Sequence, residues 1–383
     1  MFKFTLKVIL FLSPIALYYA FPIAVLFFSK EYYPAYEVVA IQNTHKETLF
    51  GNVYNTGSLI PYKTILLDTN NPQIFALGTS RVLQLRKEFF TPQTQFLNAG
   101  LGVPWSLNDI EYILQSASSS QNSSTKRVLI LDLDRELFTL DSEQADQTTE
   151  NYISIFGFHF YAPFNVARGM YLDYFIRHKY SFIKLVSNEA NTDKLGMQAI
   201  ANGNGFRSDG SYRYNKESQD PNLVATNEAE IKVVAQNILR DTPASLPSTD
   251  EPNIAANLII LKQILETAKS KNITVVGYIP PYPVEINQAT FASTSAYKTR
   301  ETDLTNQISA DFKQDGFAFY DMSDIAQYGG TDAEFSDTVH GTDLLYAKMS
   351  LYLANHDPVL KNYFDKTALQ NMIASTTGNF LQF

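Results

Sequence analysis

The pattern of hydrophobic positions begins with one long apolar run near the N-terminus. Residues 8–29 contain no charged side chain, and a helix of that length, at about 1.5 Å per residue, spans the roughly 30 Å core of a bilayer. Two lysines precede the run, whereas Lys30 and Glu31 cancel after it. The positive-inside rule then predicts a single-pass anchor with a cytoplasmic N-terminus and the large domain, 31–383, outside. A cleaved signal peptide is the alternative, but no small-x-small cleavage site precedes Lys30, so we expect the anchor to be retained.

Beyond this run, short apolar stretches alternate with segments of helical period. Stretches typical of buried parallel strands lie at 73–77, 95–97, 127–134, 273–279 and 317–320. Helical patterns lie at 82–90, 107–117, 255–270, 297–312 and 342–353. Strands that alternate with helices predict a mostly parallel sheet with helices on both faces. We therefore expect an α/β protein with a three-layer α/β/α domain.

Changes in this pattern divide the chain into segments. In chain order we predict a transmembrane anchor (1–30), a membrane-proximal segment without clear period (31–72), the first part of the α/β domain (73–138), an insertion or cap (139–252), the rest of the α/β domain (253–360) and a C-terminal tail (361–383). The insertion combines polar, aromatic-rich and Gly/Asn-rich stretches, and it ends in a Pro/Ser/Asp-rich linker. We interpret it as mainly helical.

Composition and charge narrow the possible classes of function. The net charge is −9, which argues against a nucleic-acid partner because phosphate binding requires a basic surface. The chain has no cysteine, which excludes disulfides, thiolate metal sites and a cysteine nucleophile. No Walker motif, H-E-x-x-H motif or EF-hand loop occurs in the sequence, so we predict neither a metal nor a cofactor.

Three residues at predicted strand ends and loops have the chemistry of a nucleophilic site. Ser80 follows the first strand of the α/β domain, at the sheet edge where open parallel sheets place their sites. Asp337 and His340 lie three residues apart before the last helix, where a carboxylate can orient an imidazole that acts as a base towards serine. Backbone N–H groups at Ser80, and at Gly100 or Gly102 after the second strand, can stabilise an oxyanion.

The order of these residues resembles the SGNH/GDSL hydrolase superfamily. Gly78-Thr-Ser80-Arg81 is similar to its first block, Asn98-Ala-Gly100 to the second, and Asp337-Thr-Val-His340 to the fifth. The resemblance covers about 73–138 and 253–355 in segments. It implies a flavodoxin-like α/β/α fold and a catalytic triad of Ser80, Asp337 and His340.

The sequence also departs from this family pattern at two blocks. The first block reads GTSR rather than GDS. The third block of the family supplies an asparagine to the oxyanion hole, whereas this chain has Asp132-Leu-Asp134 at the end of the third strand. We therefore expect the oxyanion hole to rest on the backbone N–H groups of Ser80 and of Gly100 or Gly102 alone.

An anchor followed by such a domain resembles extracytoplasmic proteins that act on surface polysaccharides. These are the alginate O-acetylation proteins and the D-alanyl transfer protein DltD of the teichoic acid pathway. The resemblance implies an acylated glycan or related ester as substrate, acyl transfer through an acyl-serine, and a multi-span membrane acyltransferase as a partner. The alternative is a catalytically inactive scaffold of the same fold that binds a surface polysaccharide or an assembly partner.

Each candidate side chain also has a structural alternative. Asp337 is either the orienting carboxylate or a loop or cap aspartate, and His340 is either the base or a solvated loop histidine. Arg81 either binds an anionic group of the substrate or forms a salt bridge. Asp134, like Asp132, either lines the floor of the pocket or caps the following turn. Asn98 is either a site residue or a turn residue, and Ser80 is either the nucleophile or a helix N-cap.

Overall fold

The structure, a computed structural model, describes residues 2–55, 59–101, 106–117, 126–140, 164–187, 193–214, 221–240, 251–292, 295–378 and 381. The chain folds as two compact units. The first comprises Met1–Tyr62, Asn151–Ser208 and Tyr212–Tyr214, and the second comprises Lys63–Glu150, Asp209–Ser211 and Asn215–Phe383. The segments predicted as membrane-proximal and as the cap are therefore each divided between the two units.

The described helices and strands are labelled in chain order. The helices are α1 (Phe2–Ser29), α2 (Ala35–Thr44), α3 (Leu59–Asn70), α4 (Leu107–Ser116), α5 (Phe164–Tyr171), α6 (Phe182–Ser187), α7 (Met197–Asn202), α8 (Pro221–Arg240), α9 (Glu251–Ser270), α10 (Val284–Ala292), α11 (Ser295–Asp315), α12 (Asp343–His356) and α13 (Lys366–Ser375). The strands are β1 (Leu49–Phe50), β2 (Ile74–Leu77), β3 (Phe96–Asn98), β4 (Arg127–Asp132), β5 (Lys194–Leu195), β6 (Gly205–Phe206), β7 (Tyr212–Arg213), β8 (Ile273–Ile279) and β9 (Ala318–Asp321).

The second unit is built on a parallel sheet of strand order β3-β2-β4-β8-β9. Every residue of β2, β3 and β4 is buried, which explains why these strands read as continuous apolar runs. Alternate residues such as Ile130 and Tyr278 pack with α12 and α13 on one face. On the opposite face Gly277 lies against Phe312 of α11, where an added Cβ would approach the ring to 2.3 Å. The predicted α/β class, with a parallel sheet and helices on both faces, is confirmed.

One local prediction in this unit is wrong. Residues 82–90 do not form a helix: Ser80–Gln84 and Lys87–Phe89 are short 3₁₀ turns, and Leu85 and Arg86 between them are extended. The side-chain amide of Asn98 donates to the carbonyls of Val82 and Leu85, each at 2.8 Å, and so takes acceptors that a helix would use. The predicted C-terminal tail contains α13, whose Leu369 is buried in the core shared with α12.

The first unit contains a small mixed sheet of order β5-β1-β6-β7. β1 pairs parallel with β5 and antiparallel with β6, and β6 pairs antiparallel with β7. The carboxylate of Glu31, which is 1% exposed, forms hydrogen bonds with separate segments of this unit. It accepts hydrogen bonds of 2.8–3.0 Å from the backbone N–H groups of Val53, Tyr54, Asn55 and Met197. A buried carboxylate that accepts several backbone hydrogen bonds holds distant loops in a fixed arrangement.

Helix α1 carries the apolar run of the N-terminus. Its 20-residue stretch Leu10–Ser29 includes a window with a mean hydropathy of 2.0. Among the described residues it is the one helix long and apolar enough to cross a membrane, by length and composition. Pro14 and Pro22 lie inside α1 without ending it, as is tolerated in membrane-spanning helices.

Candidate active site

Ser80 lies in a tight turn at the carboxyl end of β2. Gly78 in this turn has a φ of +150°, and a Cβ there would lie 2.3 Å from the Cβ of Asp132, so only glycine fits between β2 and β4. Thr79 donates to one oxygen of Asp132, Oδ2, through its backbone N–H at 3.0 Å and its hydroxyl at 2.9 Å. The Thr79 hydroxyl oxygen also accepts from the N–H of Arg81. These contacts fix the backbone on both sides of Ser80.

The three residues predicted as a triad are joined by hydrogen bonds. The Oγ of Ser80 lies 2.7 Å from Nε2 of His340, although the two residues are 260 positions apart. The Nδ1 of the same imidazole lies 2.7 Å from Oδ2 of Asp337. The other carboxylate oxygen, Oδ1, accepts from the backbone N–H groups of Val339 at 2.7 Å and His340 at 2.6 Å. The arrangement has the geometry that acyl transfer by serine requires of a nucleophile, a base and an orienting carboxylate.

The loop that carries Asp337 and His340 is a braced hairpin. Ser336 donates to the carbonyl of His340 through its N–H at 2.8 Å and its hydroxyl at 3.1 Å. Phe335 and Gly341 pair as an antiparallel bridge. The side-chain amide of Asn227, a buried residue of α8, donates to the carbonyl of Ser336 at 2.5 Å. Sequence reasoning missed Asn227, because no motif links it to a loop 109 residues away.

The hydrogen bonds of the Asp337 carboxylate affect its pKa. Burial alone would raise the pKa of Asp337, but hydrogen bonds from the His340 ring and from the backbone N–H groups of His340 and Val339 outweigh burial. The pKa of Asp337 is therefore lowered below its ordinary value. Asp337 remains ionised and can stabilise the imidazolium that forms when His340 takes a proton.

Asp132 is a second carboxyl group, beneath the turn of Ser80, and its pKa is shifted in the opposite direction to that of Asp337. It is fully buried, and its Oδ1 has no hydrogen-bond partner among the described residues. Burial and then the negative charge of Asp134 raise the pKa of Asp132 to about 7, although hydrogen bonds from Thr79 and the charge of Arg81 act to lower it. The sequence suggested a floor of the pocket here. The structure places Asp132 under the turn, where it supports Thr79.

Arg81 and Asp134 form a buried ion pair with each other. Arg81 is 3% exposed, and its Nε lies 2.6 Å from Oδ2 of Asp134. Its Nη1 donates to the carbonyl of Pro281 at 3.0 Å, and its Cζ lies 4.1 Å from the centre of the Tyr282 ring. The Tyr282 hydroxyl donates to the other oxygen of Asp134 at 2.9 Å. Burial would lower the pKa of Arg81, but the charge of Asp134 raises it above its ordinary value. Of the roles considered for these residues, the structure shows the salt bridge of Arg81 and the cap of Asp134, which accepts from the N–H of Glu136 at 3.1 Å.

Asn98 and Gly100 also act within the fold. Asn98 is fully buried, and its side-chain amide holds the turn after Ser80 through the carbonyls of Val82 and Leu85. Its Oδ1 accepts from the N–H of Gly100 at 2.9 Å. A Cβ at Gly100 would lie 2.1 Å from Val82 Cγ1, so the glycine lets the two segments pack closely. The Gly100 N–H is therefore occupied and does not provide the predicted oxyanion contact.

One predicted oxyanion donor keeps a free N–H group. The backbone N–H of Ser80 donates to no acceptor among the described residues. Gly102, the other predicted donor, lies outside the described residues. No group of three or more His, Asp or Glu side chains in the described part of the chain is arranged to hold a metal ion.

The chain was also compared with known proteins. No family model matches it, and no curated protein matches it. The geometry of the site residues therefore carries the functional proposal.

Proposed function

We propose that the protein is a membrane-anchored serine acyl esterase or O-acyltransferase of the SGNH type. The observation that supports this best is the continuous hydrogen-bonded chain from Ser80 through His340 to Asp337. The sheet does not need such a chain for stability, since Asp337 is half-exposed and a serine–histidine contact at a surface contributes little to folding. The same contact is what a serine requires to react as a nucleophile.

The proposed reaction uses these groups in two half-reactions. Ser80 Oγ attacks the carbonyl carbon of an ester while His340 Nε2 takes the hydroxyl proton, and the Ser80 N–H donates to the developing oxyanion. When the intermediate collapses, the bond to the leaving alcohol breaks and Nε2 returns the proton to the alcohol oxygen. Water or a sugar hydroxyl then attacks the acyl-serine, gives its proton to His340, and releases Ser80 with its proton restored. Asp337 stabilises the imidazolium in both halves.

The proposed substrate is an acylated cell-surface glycan or a related ester. Support comes from the apolar helix α1, which can hold the chain at a membrane, and from the order of the three sequence blocks. With the large domain outside, the acceptor or donor is a glycan at the cell surface, and a multi-span membrane acyltransferase is the proposed partner.

A catalytically inactive scaffold is the second candidate. The observation in its favour is that the Gly100 N–H is bound to Asn98, which leaves the Ser80 N–H as the one free predicted oxyanion donor among the described residues. In this case the triad residues would be relics, and glycan or partner binding would be unchanged by their removal.

Ester hydrolysis by the full chain tests the proposal. The purified protein in detergent is assayed with a short-chain nitrophenyl ester, with and without an oligosaccharide acceptor, beside Ser80→Ala. The matched control is Ser116→Ala, since the Ser116 hydroxyl is exposed and donates to the carbonyl of Tyr112 in its own helix. We expect loss of at least about 10³-fold in Ser80→Ala and wild-type rates in the control. Equal rates in wild type and Ser80→Ala contradict the proposal, and glycan binding that persists without Ser80 and His340 then favours the scaffold.

A further inference from the structure

The apolar helix α1 packs against a segment of the first unit, Phe164–Ser187. Tyr18 stacks on Phe164, with ring centres 5.5 Å apart, and on Tyr171 at 5.3 Å. Phe21 contacts the rings of Tyr171 and Phe175 at 5.1 and 5.0 Å. The Tyr171 hydroxyl donates to the carbonyl of Tyr18 at 2.8 Å. The segment is thus fixed to the second half of α1.

The part of α1 that precedes these contacts is too short to cross a bilayer alone. Its uncharged part, residues 8–17, rises about 15 Å at roughly 1.5 Å per residue, whereas a bilayer core is about 30 Å thick. If α1 spans the membrane, about ten further residues, from Tyr18 to Phe27, must also lie within the core. The rings that pack around Tyr18 and Phe21 then enter the same layer.

The segment has an outer surface that suits such a layer. Large apolar side chains are exposed at Phe164, Phe175, Ile176 and Ile183, and the two isoleucines are 70% and 82% exposed. A run of exposed apolar side chains of this size marks a membrane or protein contact when it lies beside a membrane helix.

Charges on the same segment are mostly basic. Arg168, Arg177, Lys179 and Lys184 are all exposed, and the one acidic residue between them, Asp173, is buried and paired with Arg177 at 2.9 Å. Basic side chains that flank apolar and aromatic side chains are typical of segments that lie in the headgroup region of a bilayer.

We propose that Phe164–Ser187 is a membrane-interface element that contacts lipid directly, with Phe164, Phe175, Ile176 and Ile183 among acyl chains and the basic residues among phosphate headgroups. The occupant of this surface is the bilayer that holds α1, because the two are continuous through the contacts of Tyr18 and Phe21. The first unit is then seated in the membrane surface rather than tethered above it. This inference does not depend on the chemistry of Ser80.

The absence of cysteine allows a direct test in the full chain. Single cysteines at Ile176 and Ile183 are labelled with an environment-sensitive fluorophore, and the protein is reconstituted in phosphatidylcholine and phosphatidylglycerol vesicles. Quenching by lipids with a nitroxide on the acyl chain is compared with quenching by aqueous iodide. The matched control is Ile259→Cys, an isoleucine of α9 in the second unit that is 59% exposed.

We expect nitroxide lipids to quench the label at positions 176 and 183 at least about twofold more than at 259, and iodide to show the reverse order. Labels at 176 and 183 that respond to iodide as 259 does, and not to nitroxide lipids, would overturn the proposal and make the surface a protein contact. A second variant, Lys179→Glu with Lys184→Glu, keeps the apolar residues. We expect phosphatidylglycerol to increase the quenching of the label at position 183 by nitroxide lipids, and we expect this variant to lose that increase. An unchanged increase in the variant would overturn the headgroup contact.

Discussion

Asp337 holds His340 through both of its carboxylate oxygens. Oδ2 lies 2.7 Å from the ring Nδ1, and Oδ1 accepts the backbone N–H of the same residue at 2.6 Å. The backbone contact sets the position of the loop, and the ring contact favours the tautomer with the proton on Nδ1. Nε2 is then left to accept the proton of Ser80, 2.7 Å away.

Replacement of Asp337 by asparagine tests this relationship. We expect Asp337→Asn to lower kcat by about 10²- to 10⁴-fold with a smaller change in KM, because an amide does not stabilise the imidazolium and can select the wrong tautomer. Steady-state ester hydrolysis measures both constants. The control is Asp303→Asn, an exposed position of α11, and an unchanged kcat in Asp337→Asn would contradict the orienting role.

The buried carboxyl of Asp132 predicts a pH dependence of stability. Because its pKa in the fold, about 7, lies above the ordinary value of 3.8, the native state binds more protons than the unfolded chain between these two values. The contribution of Asp132 to the free energy of unfolding therefore falls as pH rises from about 4 to about 7, and it changes little above that. Asp132→Asn removes this dependence while it keeps an acceptor for the Thr79 N–H.

Denaturant unfolding at pH 4.5 and 7.5, followed by circular dichroism of the full chain in detergent, measures the effect. We expect the stability of Asp132→Asn relative to wild type to increase between the two pH values. The same difference at both pH values would show that Asp132 does not take up a proton in the fold.

The ion pair of Arg81 and Asp134 predicts a loss of stability rather than of substrate affinity. Arg81→Met leaves the Asp134 carboxylate buried without its cation, which costs about 3–5 kcal/mol in other buried pairs. The double variant Arg81→Met with Asp134→Asn removes both charges, and we expect it to be more stable than the single variant. Unfolding midpoints test this order. A stable Arg81→Met protein with a raised KM would instead support a substrate contact.

Asn227 of α8 is predicted to position the loop that carries Asp337 and His340. Asn227→Ala removes the hydrogen bond to the Ser336 carbonyl and should loosen the hairpin that fixes His340. We expect kcat to fall about 10-fold with KM nearly unchanged, because small displacements of a base slow the chemical step. Glu230→Ala, at an exposed position of the same helix, is the control. If both variants keep the wild-type kcat, α8 does not position the loop.

The sequence was sufficient to predict the elements with strong local signals. The buried strands β2, β4 and β8 are continuous apolar runs, and Ser80, Asp337 and His340 follow from residue type and order at strand ends and loops. The parallel register places the turn of Ser80 beside the end of β4, since Leu77 pairs with Leu131.

The remaining features depend on long-range contacts. Strands of two residues, such as β1 and β5, have no readable period and form only because Leu49 pairs with Lys194. The turns after Ser80 replace a predicted helix because Asn98 takes their carbonyls. The side-chain oxygen of Asn98 also accepts the hydrogen bond of the Gly100 N–H. Arg81 and Asp134 pair with each other in a buried salt bridge. In each case a tertiary hydrogen bond overrides the local pattern.

Covalent labelling with a fluorophosphonate probe tests most directly whether Ser80 is an activated nucleophile. The full chain in detergent is treated with the probe, and intact mass and peptide mapping are compared for wild type, Ser80→Ala and His340→Ala. We predict one adduct, on Ser80, that is lost in Ser80→Ala and strongly reduced in His340→Ala, because His340 takes the hydroxyl proton. No adduct on Ser80 in wild-type protein shown to be folded, or an adduct that forms equally well without His340, would contradict a catalytic triad at this site.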